Sequence, residues 1–179
     1  GVGAMGYSHL EIFHQQCSKQ AEAVAFCATN TERIQRAQKI APEAVLHKNE
    51  SKLIKSDLDA VIISSPNFTH VPLALEAIKA GKHVFLEKPV GITPAECRTL
   101  LRASQKSDRI LMIGHELRYS AYFAKIKQLI EKGAVGVPQM AWCKEFRGPF
   151  QPKSRNWIQD RRKSGGCLVD KNCHHFDLM

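Results

Sequence analysis

Short unalternating apolar runs recur along the chain, separated by stretches in which apolar positions return every three or four residues. Residues 23–28 (AVAFCA), 61–63 (VII), 84–86 (VFL) and 110–113 (ILMI) have strand length. They lack the polar alternation of a half-exposed strand, as expected of parallel strands covered by helices on both faces. Helical spacing predicts helices over residues 7–19, from Thr31 to about Ile40, where Pro42 closes the stretch, over 73–80, and from Pro94 to about Ser107, with a short turn at 52–55. Punctuation agrees: Pro72 and Gly81 bracket one helix, and Thr93 and Glu96 have capping-box spacing at the start of another. Helices alternating with buried strands imply an α/β fold built on a doubly wound, mostly parallel sheet.

From about Glu116 the pattern changes. A helix from about Ser120 to Lys132 closes at Gly133, and residues 137–146, carrying Trp142, read as a longer strand. Residues 147–163, rich in Arg, Lys, Pro and Gln, read as a long surface loop before Gly165 and Gly166 restart a helix. These shifts divide the chain into residues 1–116 and a second domain beginning at 117 and running through 179. The sequence opens inside a glycine motif and stops without a helix stop signal. It therefore reads as a piece of a longer chain, lacking the first strand of its sheet.

Composition narrows the class. The 179 residues carry 26 Lys and Arg against 17 Asp and Glu, a net charge of +9, and are 44% apolar, enough for a core in one or two small domains. No apolar run approaches the roughly 18 residues of a membrane span, so no membrane partner is expected. Six cysteines with no close CxxC pairing fit a reduced, cytoplasmic protein. The positive charge and the run Arg161, Arg162, Lys163 raise nucleic-acid binding, but no helix-turn-helix or zinc-finger spacing accompanies them, and no nucleic-acid partner is expected. Cys167, Cys173, His174 and His175 match no tetrahedral template, and adjacent helical residues diverge by about 100°, so no metal is expected.

Four motifs carry candidate chemistry. GVGAMG, residues 1–6, fits GxGxxG: a tight turn, a close approach of backbone to a pyrophosphate, and close helix packing. At the end of the next strand many NAD-binding proteins place an acidic residue on the ribose 2′-hydroxyl. Here Ala28, Thr29 and Asn30 occupy that stretch, with Arg33 nearby. Without a carboxylate to repel a 2′-phosphate, NADP is slightly favoured over NAD; Arg33 fits equally well as a solvated helix charge, and both cofactors stay open. SSPNFTH, residues 64–70, and EKP, residues 87–89, each terminate a strand at the sheet edge where ligands of such folds bind. The first also suits a simple turn at Pro66 and Asn67, and Lys88 in the second also suits a surface lysine. A lysine whose pKa is lowered there can polarise or deprotonate a hydroxyl, and Pro89 can carry a cis bond. GGCLVDKNCHHFD places Asp170 and His174 four apart on one helical face, with Asp177 further along it. An aspartate beside an imidazole suits a general base, and equally a cap beside a satisfied histidine.

In this order the four motifs resemble the Gfo/Idh/MocA family of glucose-fructose oxidoreductase, inositol dehydrogenase and MocA-like proteins, over essentially the whole chain. The resemblance implies an N-terminal Rossmann domain followed by the start of an α+β open-sheet substrate domain. It also implies hydride transfer between the nicotinamide of NAD or NADP and a CH–OH or C=O carbon of a sugar, cyclitol or related polyol. By residue, it makes Lys88, Asp170 and His174 catalytic, the last two handling the proton. It puts Gly1, Gly3, Met5 and Gly6 at the pyrophosphate and Ser65, Pro66, Asn67, His70, Glu87 and Lys88 along the cofactor. Arg118, Trp157 and His175 fall near the substrate. A small-molecule polyol and a second copy of the full-length chain are the implied partners. The chain departs from the family pattern at Asn172, where glycine is often found, at Ser164, which precedes a pair of glycines rather than a triple, and at Ala28. The alternative is a catalytically silent NAD(P)-binding regulatory or structural protein of the same fold. Retention of Lys88, Asp170 and His174 together argues against it.

Overall fold

Five short strands, all paired in parallel, form the framework of the structure, a computed structural model that describes residues 1–146, 148–149 and 153–179. Strand β1 (Ala25–Cys27) pairs with β2 (Val45–His47), placing Phe26 opposite Leu46. Strands β3 (Ala60–Ile63), β4 (His83–Glu87) and β5 (Leu111–Gly114) form a second sheet in that order, with Val61 opposite Val84 and Val84 opposite Leu111. Parallel neighbours need crossover connections. Helices supply them: α2 (Thr31–Ile40) between β1 and β2, α4 (His70–Lys79) between β3 and β4, and α5 (Pro94–Gln105) between β4 and β5, while α1 (Ala4–Ile12) precedes β1 and α3 (Glu50–Ile54) leads from β2 to β3. The carboxyl ends of β3, β4 and β5 therefore share one edge, and their following loops gather there.

Helix starts are fixed by side chains. Asn30 and Asn49 accept from the N–H groups of Arg33 and Lys52 at the starts of α2 and α3. At α5 the capping box is complete: the Thr93 hydroxyl accepts from Glu96 N–H, and the Glu96 carboxylate accepts from the N–H groups of Ile92 and Thr93. Two apolar clusters form. Ile54, Val61, Ile63, Val71, Ala74, Ala77, Val84, Leu86 and Leu100 seal the three-stranded sheet, while Val2, Leu10, Phe26, Ala28, Ala37 and Ala44 seal the other. Alanines 37, 74 and 77 are wholly buried, and their small side chains let the helices lie close on the sheets. The opening segment touches both units: Val2 belongs to the β1–β2 cluster, and the Gly1 carbonyl accepts from Ser64 Oγ just beyond β3, at 2.7 Å.

Several expectations are corrected. The first helix stops at Ile12 and continues only as a π turn, Phe13–Cys17. Strand β2 was not foreseen, because three residues are too few to show a period. Residues 137–146 form no strand; Val137, Met140, Trp142 and Phe146 stand exposed, since strand-forming side chains make a strand only beside a partner, and no described strand pairs with this segment. Of the expected loop over residues 147–163, Arg147 and residues 150–152 lie outside the described residues, and the remainder contains a 3₁₀ stretch, Ser154–Gln159, and helix α7 (Arg161–Ser164). The last helix is two helices, α8 (Cys167–Asp170) and α9 (Cys173–Leu178). The break is a change of hydrogen-bond register: Asn172 N–H reaches back five residues to the Cys167 carbonyl, and His174 N–H only three, to Lys171. Asp170 and His174 consequently do not share the continuous helical face expected of them. Before them, a 3₁₀ turn, Glu116–Tyr119, leads into α6 (Ala121–Glu131). Among the described residues no helix is long and apolar enough to cross a membrane.

Candidate active site

At the start of α1, Gly6 lies so close to the first turn that a Cβ would fall 1.9 Å from the Gly1 carbonyl oxygen and 2.6 Å from Ser64 Oγ. Only hydrogen fits. A Cβ on Gly3, by contrast, would meet nothing within 4 Å. Tyr7 is the first residue to bond back, to the Gly3 carbonyl at 2.9 Å, so the N–H groups of Ala4, Met5 and Gly6 have no acceptor within the helix. Bare backbone at the positive end of a helix suits the pyrophosphate of a dinucleotide, and the glycines present fit that group. Met5 is exposed at the same end. Thr29 and Arg33 are exposed beyond β1, and the Arg36 guanidinium, not foreseen, lies 4.1 Å over the Tyr7 ring.

After β3 the chain forms a 3₁₀ turn, Asn67–Thr69, pinned by Thr69 Oγ1, which donates to the Pro66 carbonyl and lies 2.6 Å from Ser65 Oγ. His70, expected along the cofactor, is 1% exposed. Its two ring nitrogens lie 2.7 Å from the Pro89 carbonyl and 2.9 Å from the Ser65 carbonyl, tying the loops after β3 and β4 together from below. Burial pulls its pKa under the ordinary histidine value, against the two carbonyls, which favour the protonated ring.

After β4, Glu87 is buried, and its Oε1 sits 2.7 Å from His9 Nε2 on α1. The next peptide, between Lys88 and Pro89, is cis. Lys88 Nζ donates to the backbone carbonyl of Asp170 at 3.0 Å, across 82 positions of sequence. Asp170 is 5% exposed; its Oδ1 accepts from Asn67 Nδ2 at 3.0 Å, and its Oδ2 lies 3.3 Å from Lys171 Nζ. Asn67 Nδ2 also donates to the Ser164 carbonyl at 3.0 Å. Lys88, Asn67 and Asp170 are thus drawn to one place, and Cys173 Sγ joins them 3.7 Å from the Asp170 carbonyl. Burial pushes the Cys173 thiol up, with nearby Lys88 opposing.

Beside this cluster, His174 Nε2 lies 3.7 Å from Glu116 Oε1, and the His174 ring meets that of His115 edge-on, with centroids 5.8 Å apart. His115 Nδ1 is 3.8 Å from Asp177, whose carboxylate is gripped by Arg118 through two bonds of 2.5 and 2.7 Å. That hydrogen bonding holds Asp177 below the usual carboxylate range. Arg118, expected at the substrate, therefore spends its guanidinium on Asp177. His175 Nε2 lies 3.1 Å from Glu145. An open cleft of about 170 Å³ runs between Ile158, Gln159 and Arg161 on one side and Ser164, Gly166, Cys167 and Asp170 on the other. Trp157, half-buried, is adjacent in sequence but does not line it.

His9, Arg36, His115 and Glu116 were missed in the sequence. A usable signal existed for two of them. His9 follows Gly6 by three, one turn along the motif helix, and His115 directly follows the strand ending at Gly114, on the same edge as Lys88. Among the described residues no group of three or more His, Cys, Asp or Glu side chains is placed to hold a metal ion.

Residues 1–115 match a family model described as GFO/IDH/MocA, oxidoreductase family, NAD-binding Rossmann fold, and residues 123–179 match the GFO/IDH/MocA C-terminal domain. The chain is 33% identical over 182 residues to inositol 2-dehydrogenase of Salmonella typhimurium, an overlap covering 100% of this chain and 52% of that protein. Scyllo-inositol dehydrogenase from Lactobacillus casei, solved with bound NAD(H) and scyllo-inositol, superposes with a TM-score of 0.71 at 25% identity, covering 76% of this chain and 40% of the other. A levoglucosan dehydrogenase, in complex with NADH and levoglucosan, shares the fold with a TM-score of 0.82 at 24% identity, covering 99% of this chain and 50% of its own. The chain spans about half the length of the curated relatives it matches.

Proposed function

The chain belongs to the GFO/IDH/MocA oxidoreductase family, and on that premise we propose an NAD(P)-dependent dehydrogenase acting on a CH–OH or C=O carbon of a cyclitol or related polyol or sugar. The observation that carries this reading is the meeting of Lys88 Nζ and Asp170 at 3.0 Å, at the sheet edge that also carries the loop after β3. Residues 1–116 form the dinucleotide-binding domain in this reading, and residues 117–179 begin the substrate domain.

Gly1, Gly3, Met5 and Gly6 would hold the pyrophosphate, with Ser65, Pro66 and Glu87 further along. When bound, the nicotinamide supplies the carbon that accepts or returns a hydride. The protein's own part is alignment and proton handling. Lys88, whose Nζ donates to the Asp170 carbonyl, would polarise a substrate hydroxyl oxygen, and His174 would take that hydroxyl's proton. His115, edge-on to the His174 ring at 5.8 Å, and Glu116, 3.7 Å from its Nε2, would steady that ring. Arg161, on the cleft wall, adds a donor for a polyol hydroxyl.

A cyclitol is favoured among polyols by the inositol dehydrogenases to which the chain is similar. NADP stays slightly favoured: Ala28 offers no carboxylate, Asn30 is engaged as a helix cap, and Thr29 and Arg33 are exposed beside it. A cytoplasmic homo-oligomer is the accompanying proposal, supported by six free cysteines and by the exposed apolar face of α6.

The test uses the full-length protein, both cofactors and a panel of inositols and sugars, followed by absorbance of the reduced nicotinamide. Turnover is expected with at least one cyclitol, with a higher kcat/KM for NADP than NAD. Lys88→Met should lower kcat by about 10³-fold. Cofactor binding with no turnover on any member of the panel would overturn the reading.

A further inference from the structure

We propose that Asn67 is a positioning residue that fixes Asp170, and through Asp170 the ammonium of Lys88, an inference that rests on the dehydrogenase reading above. Asn67 is 5% exposed on the turn after β3, and one atom, Nδ2, lies 3.0 Å from both the Asp170 carboxylate and the Ser164 carbonyl. Both partners are acceptors only. The amide therefore has one satisfactory orientation, with its NH₂ directed at them, and both of its N–H bonds are spent.

The two acceptors bracket a reversal of the chain. Ser164 ends α7, and Gly165 and Gly166 follow at φ values of 81° and 82°. A Cβ on Gly165 would fall 2.7 Å from Val169. Two glycines in left-handed conformations leave this reversal little local preference of its own. Asn67 closes it from outside, one N–H holding its first end and the other its last. The last end is Asp170, whose carbonyl receives Lys88 Nζ. Among the described residues, the groups facing Asp170 are then Asn67 from the β3 turn, Lys88 from the β4 loop, Lys171 and Cys173 from its own segment, and Arg161 and Cys167, which share the cleft with it. His70, from the helix that follows the Asn67 turn, spends its nitrogens on the Ser65 and Pro89 carbonyls. Asn67 is thus the neutral donor in a cluster otherwise made of charges and thiols, and its effect should reach kcat through Lys88 rather than cofactor affinity through contact.

Asn67→Asp in the full-length enzyme keeps the shape and turns two donors into acceptors. Near pH 8, kcat should fall by about 100-fold while the Kd for NADH, read by fluorescence titration, changes less than about threefold. Two facing carboxyls share a proton as pH falls. The variant should therefore recover activity relative to wild type toward about pH 6, which a general loss of packing would not produce. Asn67→Ala, which carries no new charge, should show the same split between kcat and Kd. A second readout needs no turnover: Asn67→Asp combined with Asp170→Asn restores one donor–acceptor pair, and the double variant should regain at least about half the Tm lost by Asn67→Asp alone. Unchanged kcat, a Kd weakened in step with kcat, or strictly additive Tm losses would each overturn the proposal. Coupled Tm values with no polyol turnover by the wild type would sustain the Asn67–Asp170 link and remove the dehydrogenase reading instead.

Discussion

His70 shows how one side chain supports a site it does not line. His70 is 1% exposed and its ring spans the carbonyls of Ser65 and Pro89, so the loop after β3 and the β4 loop that carries Lys88 share a brace. Burial lowers its pKa in the folded protein from 6.5. Below that value the unfolded chain binds the proton more readily than the folded one, so stability rises with pH there. The contribution is complete above the unfolded pKa and is lost as pH falls through the lower, folded one. Tm of the full-length protein should accordingly drop between about pH 7 and pH 5. His70→Asn, which cannot titrate, should cost about 2–3 kcal/mol at pH 7 and flatten that slope; equal slopes in the two proteins would contradict the assignment. At this scale the sequence was informative about position and silent about partners. Lys88 and Asn67 stand out because Lys88 directly follows a buried strand and Asn67 opens the turn four residues past the end of another. That Asn67 meets Asp170, 103 residues away, or that Glu87 meets His9, 78 away, is written in no local pattern.

Elements were legible where chain signals agree with what surrounds them. The runs 61–63 and 84–86 became β3 and β4 because buried parallel strands need apolar side chains on both faces. Helix α5 began at the foreseen cap because Thr93 and Glu96 make their bonds within four residues. That cap is testable. Thr93→Ala should destabilise the protein by about 1 kcal/mol in a denaturant titration, whereas Glu96→Gln, which still accepts from Ile92 and Thr93, should cost less. A larger loss from Glu96→Gln than from Thr93→Ala would show the box to be secondary to another contact of Glu96. The misread elements depend on distant structure. Residues 137–146 have strand-forming side chains and no paired neighbour, and the break between α8 and α9 follows from Asp170 being held by Asn67 and Lys88 while the chain beyond it starts a new register.

Across the whole molecule, the two sheets are sealed by separate apolar clusters, and β1 and β3 share no hydrogen bonds with each other. Each therefore presents an unpaired backbone edge within these 179 residues. Beyond the sheets, Tyr119, Tyr122, Val135, Val137, Met140, Trp142 and Phe146 are all more than 60% exposed, and no residue of α6 is buried. Scattered apolar side chains are ordinary on a surface, but seven so exposed between residues 119 and 146 suit a surface awaiting a cover. Asn67, Lys88 and Arg118 tie the α7–α9 segment to the loops after the second sheet by polar bonds, and among the described residues from 153 on Ile158 is the one buried apolar side chain, so little apolar burial stabilises that half against opening. Residues 1–179 expressed alone should bind a hydrophobic dye and self-associate at micromolar concentration, whereas the full-length protein should do neither beyond forming its defined oligomer. Light scattering after gel filtration, with dye fluorescence on the same samples, separates the two outcomes. A monomeric, dye-silent 179-residue chain would mean that residues 119–146 fold back on their own body in solution, and that the exposed band is not the face on which the rest of the protein is built.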